Sequence, residues 1–146
     1  MNDKETFRQK AKDGYTVCLA AECPLREHCL RWRVGEQMPD SVRFYTCVNP
    51  LHEDVATQQC PEYRPDEKVT FARGMVNLFN DDMPRRLEPA VRYAIIGKTC
   101  RTYYYEYRNG QRVIPPRLQL FIRDTFLREG WTAPVHFDTY FEDYDW

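Results

Sequence analysis

With 146 residues, the chain is long enough to bury a hydrophobic core as one domain or as two small lobes. Its hydrophobic fraction of 42% and its aromatic fraction of 14% argue against disorder over most of its length. The net charge of −1 indicates no particular class of partner by itself.

The first 14 residues are rich in charged side chains and are predicted to form a frayed helix or a polar tail. They carry too much charge for a secretory signal peptide. No apolar run in the chain approaches the length of a membrane span. We therefore expect a cytoplasmic protein without membrane contact. A reducing compartment disfavours structural disulfides, so the cysteines need another explanation.

Residues 15–65 contain five of the six cysteines and show little regular periodicity. A short helix is predicted after Pro24, and the alternating run SVRFYTCV at residues 41–48 predicts a strand. The cysteine spacing is Cys18-x4-Cys23-x5-Cys29, followed by Cys47 and Cys60. Thiols clustered in this way are typical of the ligands of a soft metal.

Both Zn²⁺ and an iron–sulfur cluster of the 4Fe–4S type are compatible with thiolate ligands. Proline follows Cys23 and Cys60, a common feature of cluster ligands, whereas the Cys-x2-Cys pair typical of zinc is missing. The predicted ligands are Cys18, Cys23, Cys29 and Cys60, with Cys47 as the first substitute. The alternative for Cys47 is a buried free thiol. No acid–base pair or activated nucleophile stands out, so we do not expect an enzyme.

From Asp66 onward, apolar residues recur at helical spacing. This pattern predicts helices over residues 69–80, 87–96 and 116–129. The fold class expected is therefore mainly α. The predicted organisation is a small irregular Cys-rich metal-binding lobe (1–65), a helical lobe (66–130) and an acidic, aromatic C-terminal tail (131–146).

The stretch from Thr102 to Ile114 has two interpretations. Asn109-Gly110 between a Tyr-rich arm and a Val-Ile arm is a strong signal for a type I′ hairpin. Alternatively, Thr99 caps a helix over residues 100–108, and Asn109-Gly110 ends it through a left-handed residue. In the helical interpretation, Tyr104 and Tyr107 face inward. The outward-facing residues are then Arg101, Thr102, Tyr105 and Arg108.

The helical interpretation resembles the helix-turn-helix of Cro and phage repressors over residues 69–129. In that family a glycine turn precedes the recognition helix, which ends in Asn-Gly before a basic residue and a proline-started helix. The matching features here are Gly97, Thr99 to Arg101, Asn109-Gly110, Arg112 and Pro115-Pro116. The whole chain also resembles an uncharacterised Cys-rich bacterial family, a domain of unknown function, through CPLREHCLR, CPEYR and YYYEYRNG. This second resemblance implies no activity.

Charge is distributed unevenly along the chain. Residues 85–123 have a net charge of +7, between −3 for residues 1–84 and −5 for residues 124–146. A basic block between acidic segments fits a nucleic-acid footprint, or a solvated helical face that the acidic tail neutralises.

We therefore expect a metal-containing DNA-binding protein that regulates transcription. The residues expected to approach bases are Arg101, Thr102, Tyr105 and Arg108. Those expected to contact phosphates are Lys98, Arg112 and Arg117. One alternative is an interaction protein whose residues 137–146 dock on a basic partner such as RNA polymerase or the ribosome. Another is an RNA-binding protein that stacks tyrosines on bases.

Overall fold

The computed structural model describes residues 2–146 and gives a mixed α/β fold. The helices in this range are α1 (Asp3–Lys12), α2 (Leu30–Gly35), α3 (Leu87–Lys98), α4 (Arg101–Arg108) and α5 (Pro116–Arg128). The strands are β1 (Lys68–Arg73), β2 (Val113–Ile114) and β3 (Thr139–Tyr144), in the sheet order β2-β1-β3. The expected mainly α fold is therefore wrong, because helices make up 36% of the chain and a three-stranded sheet accompanies them.

The described chain divides into two compact units. The first unit runs up to Glu67 and also includes Tyr144–Trp146, and the second unit is Lys68–Asp143. In the first unit, α1 is a capped helix, since the Asn2 side chain accepts a hydrogen bond from the Glu5 N–H at 2.9 Å. Its buried face packs in a small core formed by Phe7, Ala11, Val17, Leu30, Val34 and Tyr144.

The rest of the first unit is largely irregular. The strand predicted over residues 41–48 is wrong, since only an isolated bridge joins Val17 to Cys47 in this stretch. Two backbone hydrogen bonds make this bridge, from the Val17 N–H to Thr46 at 3.0 Å and from the Val48 N–H to Val17 at 2.9 Å. Alternation of side-chain type was a misleading signal because no neighbouring strand extends the pairing.

The second unit is built on the sheet. Ala72 pairs with Ile114 and Arg73 with Val113, in antiparallel register. The helix predicted over residues 69–80 is therefore wrong, since residues 69–73 belong to β1 and residues 74–80 form turns and coil. Gly74 ends the strand with a φ of +83°, a left-handed conformation that favours glycine.

A buried helix face covers the sheet in the second unit. The side chain of Gln119 on α5 donates to the carbonyls of Thr70 at 2.9 Å and Ile114 at 3.0 Å, which ties this helix to β1 and β2. The buried core comprises Ala72, Met75, Leu78, Leu87, Val91, Ile95, Tyr104, Tyr107, Ile114, Leu118, Ile122, Phe126, Val135 and Phe137.

The tyrosine stretch is a helix, and the hairpin interpretation is wrong. A type I′ turn needs a positive φ at Asn109, where φ is −83°, whereas Gly110 has φ +75° and ends α4. Tyr104 and Tyr107 are buried, as predicted. The predicted cap is shifted by one residue. The Cys100 sulfur accepts from the Tyr103 N–H at 3.4 Å, while the Thr99 hydroxyl donates to Ile95 at 2.8 Å.

Candidate functional site

Four cysteines line one small pocket in the first unit. They are Cys18, Cys23, Cys29 and Cys60, which are the four predicted ligands. The cavity has a volume of about 20 Å³, which is room for roughly one water-sized sphere. Its other walls are mainly hydrocarbon, from Leu25, Val48, Val55, Ala56 and Tyr63.

Backbone hydrogen bonds in tight turns fix the positions of the four cysteines. The Cys18 N–H donates to Arg31 at 3.0 Å, and the Cys23 N–H donates to Ala20 at 3.1 Å. Cys29 stands directly before α2 and forms an isolated bridge with Pro65. The Cys60 N–H donates to Thr57 at 3.3 Å. Segments that are distant in sequence are thus held around one cavity.

Arg31 joins two sides of this pocket. Its guanidinium donates to the Thr16 carbonyl at 2.9 Å and to the Glu62 carbonyl at 3.0 Å, and it pairs with the Glu62 carboxylate at 3.2 Å. The side chain is only 12% exposed. Among the residues that line the pocket, Arg31 is the one with a fixed positive charge. A cation in this place favours deprotonated sulfur nearby.

Burial of the Cys18 side chain has the opposite effect, because it favours the protonated thiol. It raises the pKa of Cys18, and the neighbouring thiols of Cys47, Cys29 and Cys23 add to the rise. Without a further positive charge, the Cys18 thiol therefore favours its protonated form. Cys47 does not line the pocket, and it is exposed, so the alternative of a buried thiol at this position is wrong.

The four cysteines line the same pocket, but their sulfur atoms do not form a preformed metal-binding group. Within residues 2–146, no group of three or more His, Cys, Asp or Glu side chains stands close enough to hold a metal ion. The fold class predicted for this part of the chain, a small irregular Cys-rich metal-binding lobe, is thereby corrected, since the described residues contain no preformed metal-binding group. The two histidines of this unit face other groups, since His28 lies 3.6 Å from Asp66 and His52 lies 3.9 Å from Asp54.

The predicted nucleic-acid contacts lie in the second unit. Four of them form the exposed face of α4, namely Arg101, Thr102, Tyr105 and Arg108. Lys98 at the end of α3 and Arg117 at the start of α5 are also exposed.

Arg112 is different from the other predicted contacts, because it is held within the protein. Its Nε donates to Glu106 at 2.7 Å, and the guanidinium lies 3.7 Å from the centre of the Tyr103 ring. The hydrogen bond to Glu106 raises the pKa of Arg112. The Arg112 guanidinium is thus already hydrogen-bonded to Glu106, and a phosphate would have to compete with this carboxylate.

Most of the aromatic tail is part of the folded structure. In the second unit Phe137 is buried, and Phe141 stacks on Phe71 with ring centres 5.7 Å apart. The Arg123 side chain donates to the Tyr140 hydroxyl at 3.4 Å. Tyr140 remains 42% exposed.

Sequence reasoning missed two features. No sequence pattern predicted the role of Arg31 beside the pocket, because its hydrogen-bond partners are more than ten residues away in the chain. The second feature is a cleft at the end of α5, lined by Arg123, Trp131 and His136 among others. No periodicity marks that cleft, because an irregular loop supplies most of its walls.

The model of one protein family, described as a family of unknown function, matches residues 1–146. No curated protein and no solved structure matches the chain. None of the helices in residues 2–146 has the length and apolar character needed to cross a membrane.

Proposed function

The chain belongs to the family DUF6078, whose function is unknown, and we propose that its first unit binds a soft metal centre. The ligands are Cys18, Cys23, Cys29 and Cys60, and the centre is either Zn²⁺ or an iron–sulfur cluster. One observation carries the proposal, which is that these four thiols line the same pocket. Four thiolates satisfy both kinds of centre.

The proposal requires side-chain movement rather than refolding. The four cysteines already line the pocket, so rotation of their side chains about χ1 changes the distances between the sulfurs without breaking the backbone hydrogen bonds that position them. Metal binding also supplies a positive charge at the cysteine sulfurs, and it displaces the protons of the thiols. Arg31 offsets part of the negative charge that four thiolates bring to the site.

The composition of the first unit supports a structural role for the metal. Its core consists of a few residues around α1 and α2, and residues 36–67 contain no helix or strand. Small, loop-rich units with a small core commonly depend on disulfides or metals for stability. The six cysteines of the chain are all free thiols.

The test is metal analysis of anaerobically purified protein. We expect about one zinc per chain or an iron–sulfur absorption band. Cys18→Ser and Cys60→Ser should lose this content. The matched control is Cys100→Ser in the second unit, which should keep it. Full metal content in the two pocket variants would contradict the proposal, as would metal-free wild-type protein that folds completely.

A second candidate function is DNA binding through α4. The observation that favours it is the exposed face of this helix, where Arg101 and Thr102 lie in the first turn and Tyr105 and Arg108 follow. Residues at the start of a recognition helix are the ones that reach base edges in many DNA-binding proteins. Exposed Lys98 and Arg117 flank this face in the chain and suit phosphate contacts. Together with the metal centre, this function describes a regulator of transcription.

A further inference from the structure

The second unit contains a cleft that plays no part in the functions proposed above. It has a volume of about 380 Å³, which falls in the size range of small-molecule sites. The last turns of α5 and the loop that follows them form its walls. Leu127, Trp131 and Pro134 supply apolar surface, and the buried side chains of Phe126 and Val135 also border the cleft.

The polar groups of this cleft are donors. Arg123 and His136 line it, and none of the lining residues is acidic. Trp131 adds an indole N–H that is buried and has no hydrogen-bond partner within residues 2–146. A buried donor without an acceptor is unfavourable, so a ligand that supplies an acceptor stabilises this region. The chemistry of the walls thus selects for an acceptor-rich, negatively charged group.

We propose that this cleft binds a small organic carboxylate with an apolar body. The guanidinium of Arg123 pairs with the carboxylate, because its planar fork matches two carboxylate oxygens. The hydrocarbon or aromatic body of the ligand packs on Leu127, Trp131 and Pro134. Arg123 is held in place for this role, since it donates to the Tyr140 hydroxyl and lies 5.4 Å from the centre of the Phe137 ring.

Octanoate is a suitable probe, because it combines a carboxylate with a flexible apolar body. The chain has three tryptophans, and of these only Trp131 belongs to the second unit. In ¹⁵N-labelled full-length protein, its indole resonance is assigned from a Trp131→Phe variant. Titration with octanoate should shift the Trp131 signal saturably and leave those of Trp32 and Trp146 in place. Neutral octanol should bind more weakly.

Two kinds of variant test separately how the charge of Arg123 and the shape of the cleft contribute to octanoate binding. Arg123→Gln should weaken octanoate binding by about tenfold or more, as expected for a lost charge-assisted hydrogen bond. The matched control is Arg85→Gln, an exposed arginine of the second unit that does not line the cleft, which should bind octanoate like the wild type. If Arg123→Gln does not fold, Ala133→Phe fills the cleft while it keeps the arginine, and it should also abolish binding.

Three results would overturn the proposal. They are wild-type octanoate affinity in a folded Arg123→Gln or Ala133→Phe variant, equal binding of octanol and octanoate, and shifts of equal size at all three indoles. The last result would indicate general adsorption to apolar surface. None of these measurements depends on the metal content or on DNA binding, so the cleft can fail as a site while the other proposals stand.

Discussion

The two units of this chain hold themselves together in different ways. The second unit buries a large apolar core between a sheet and three helices, whereas the core of the first unit is formed mainly by α1, α2 and a few loop residues. Apolar burial contributes about 25 cal/mol per Å², so the second unit has the larger intrinsic stability. The first unit relies more on specific polar contacts and, in our proposal, on a metal centre.

Arginine contacts illustrate this difference. In the first unit, Arg31 bonds to two carbonyls and a carboxylate, and Arg33 pairs with Asp66 near the end of the unit. In the second unit, the buried polar contact of α5 comes from the neutral Gln119, which lies beside a large apolar core. A unit fixed by charged hydrogen bonds and thiols should respond to metal and to single polar substitutions. A unit fixed by packing should respond to cavities.

The largest expected effect comes from metal removal. A strong chelator should unfold the first unit and leave the second folded, since structural zinc contributes on the order of 10 kcal/mol to the folding of small metal-dependent domains. The indole signals of Trp32 and Trp146 report on the first unit, and that of Trp131 reports on the second. If all three indole signals respond equally to the chelator, or if no signal responds, the two units do not differ in their dependence on metal.

The next effect is a cavity in the second unit. Phe126 is fully buried, so Phe126→Ala should destabilise this unit by about 3–5 kcal/mol. Its neighbour Leu127 is 56% exposed, and Leu127→Ala should cost about 0.5 kcal/mol or less. Denaturant titration followed at Trp131 measures both values. Similar losses of unfolding free energy in the two variants would contradict the argument that core packing stabilises this unit.

Loss of the Arg31 contacts should have a smaller effect, confined to the first unit. Arg31→Met leaves the Thr16 and Glu62 carbonyls without their donor, and we expect a loss of about 2–3 kcal/mol. The control is Arg8→Met, since Arg8 is an exposed residue of α1. Urea unfolding followed at Trp32 is the measurement. A stability equal to that of the control variant would show that the arginine is dispensable to the pocket.

The smallest predicted effect concerns function rather than stability. Duplex DNA should bind the full-length protein, and its affinity should fall as salt rises. Arg101→Ala should reduce discrimination between sequences by about 1–3 kcal/mol, because bidentate contacts to bases are worth that much. Arg8→Ala in the first unit serves as the control. Absence of binding at low salt would reject α4 as a DNA-reading helix.

Short-range patterns in the sequence correctly predicted the elements that interactions between nearby residues determine. On α5 the apolar residues Leu118, Ile122 and Phe126 recur along one face, and all three are buried. The Asn109-Gly110 pair predicted the end of α4, because glycine adopts the left-handed backbone needed there at little cost. Since both signals act within a few residues, periodicity and turn chemistry were sufficient.

The elements that were missed depend on distant partners. β1 has apolar residues at a spacing that also suits a helix, and its pairing with the distant strands β2 and β3 makes it a strand. The grouping of cysteines around one pocket agrees with their spacing, yet the role of Arg31 depends on carbonyls that no pattern identifies. The cleft beside Trp131 has the same origin, since a loop without periodicity forms it.

The last three residues that the structure describes give the protein an unusual order of assembly. Phe7 packs against Tyr144 and Trp146, with ring centres 5.3 Å and 6.1 Å apart, although these residues lie at opposite ends of the sequence. On the ribosome, α1 and its neighbours emerge early but must wait for the aromatic partners that follow the second unit. At about 5–20 residues per second, this delay lasts several seconds. During synthesis the core of the first unit is thus completed only after the second unit has been made.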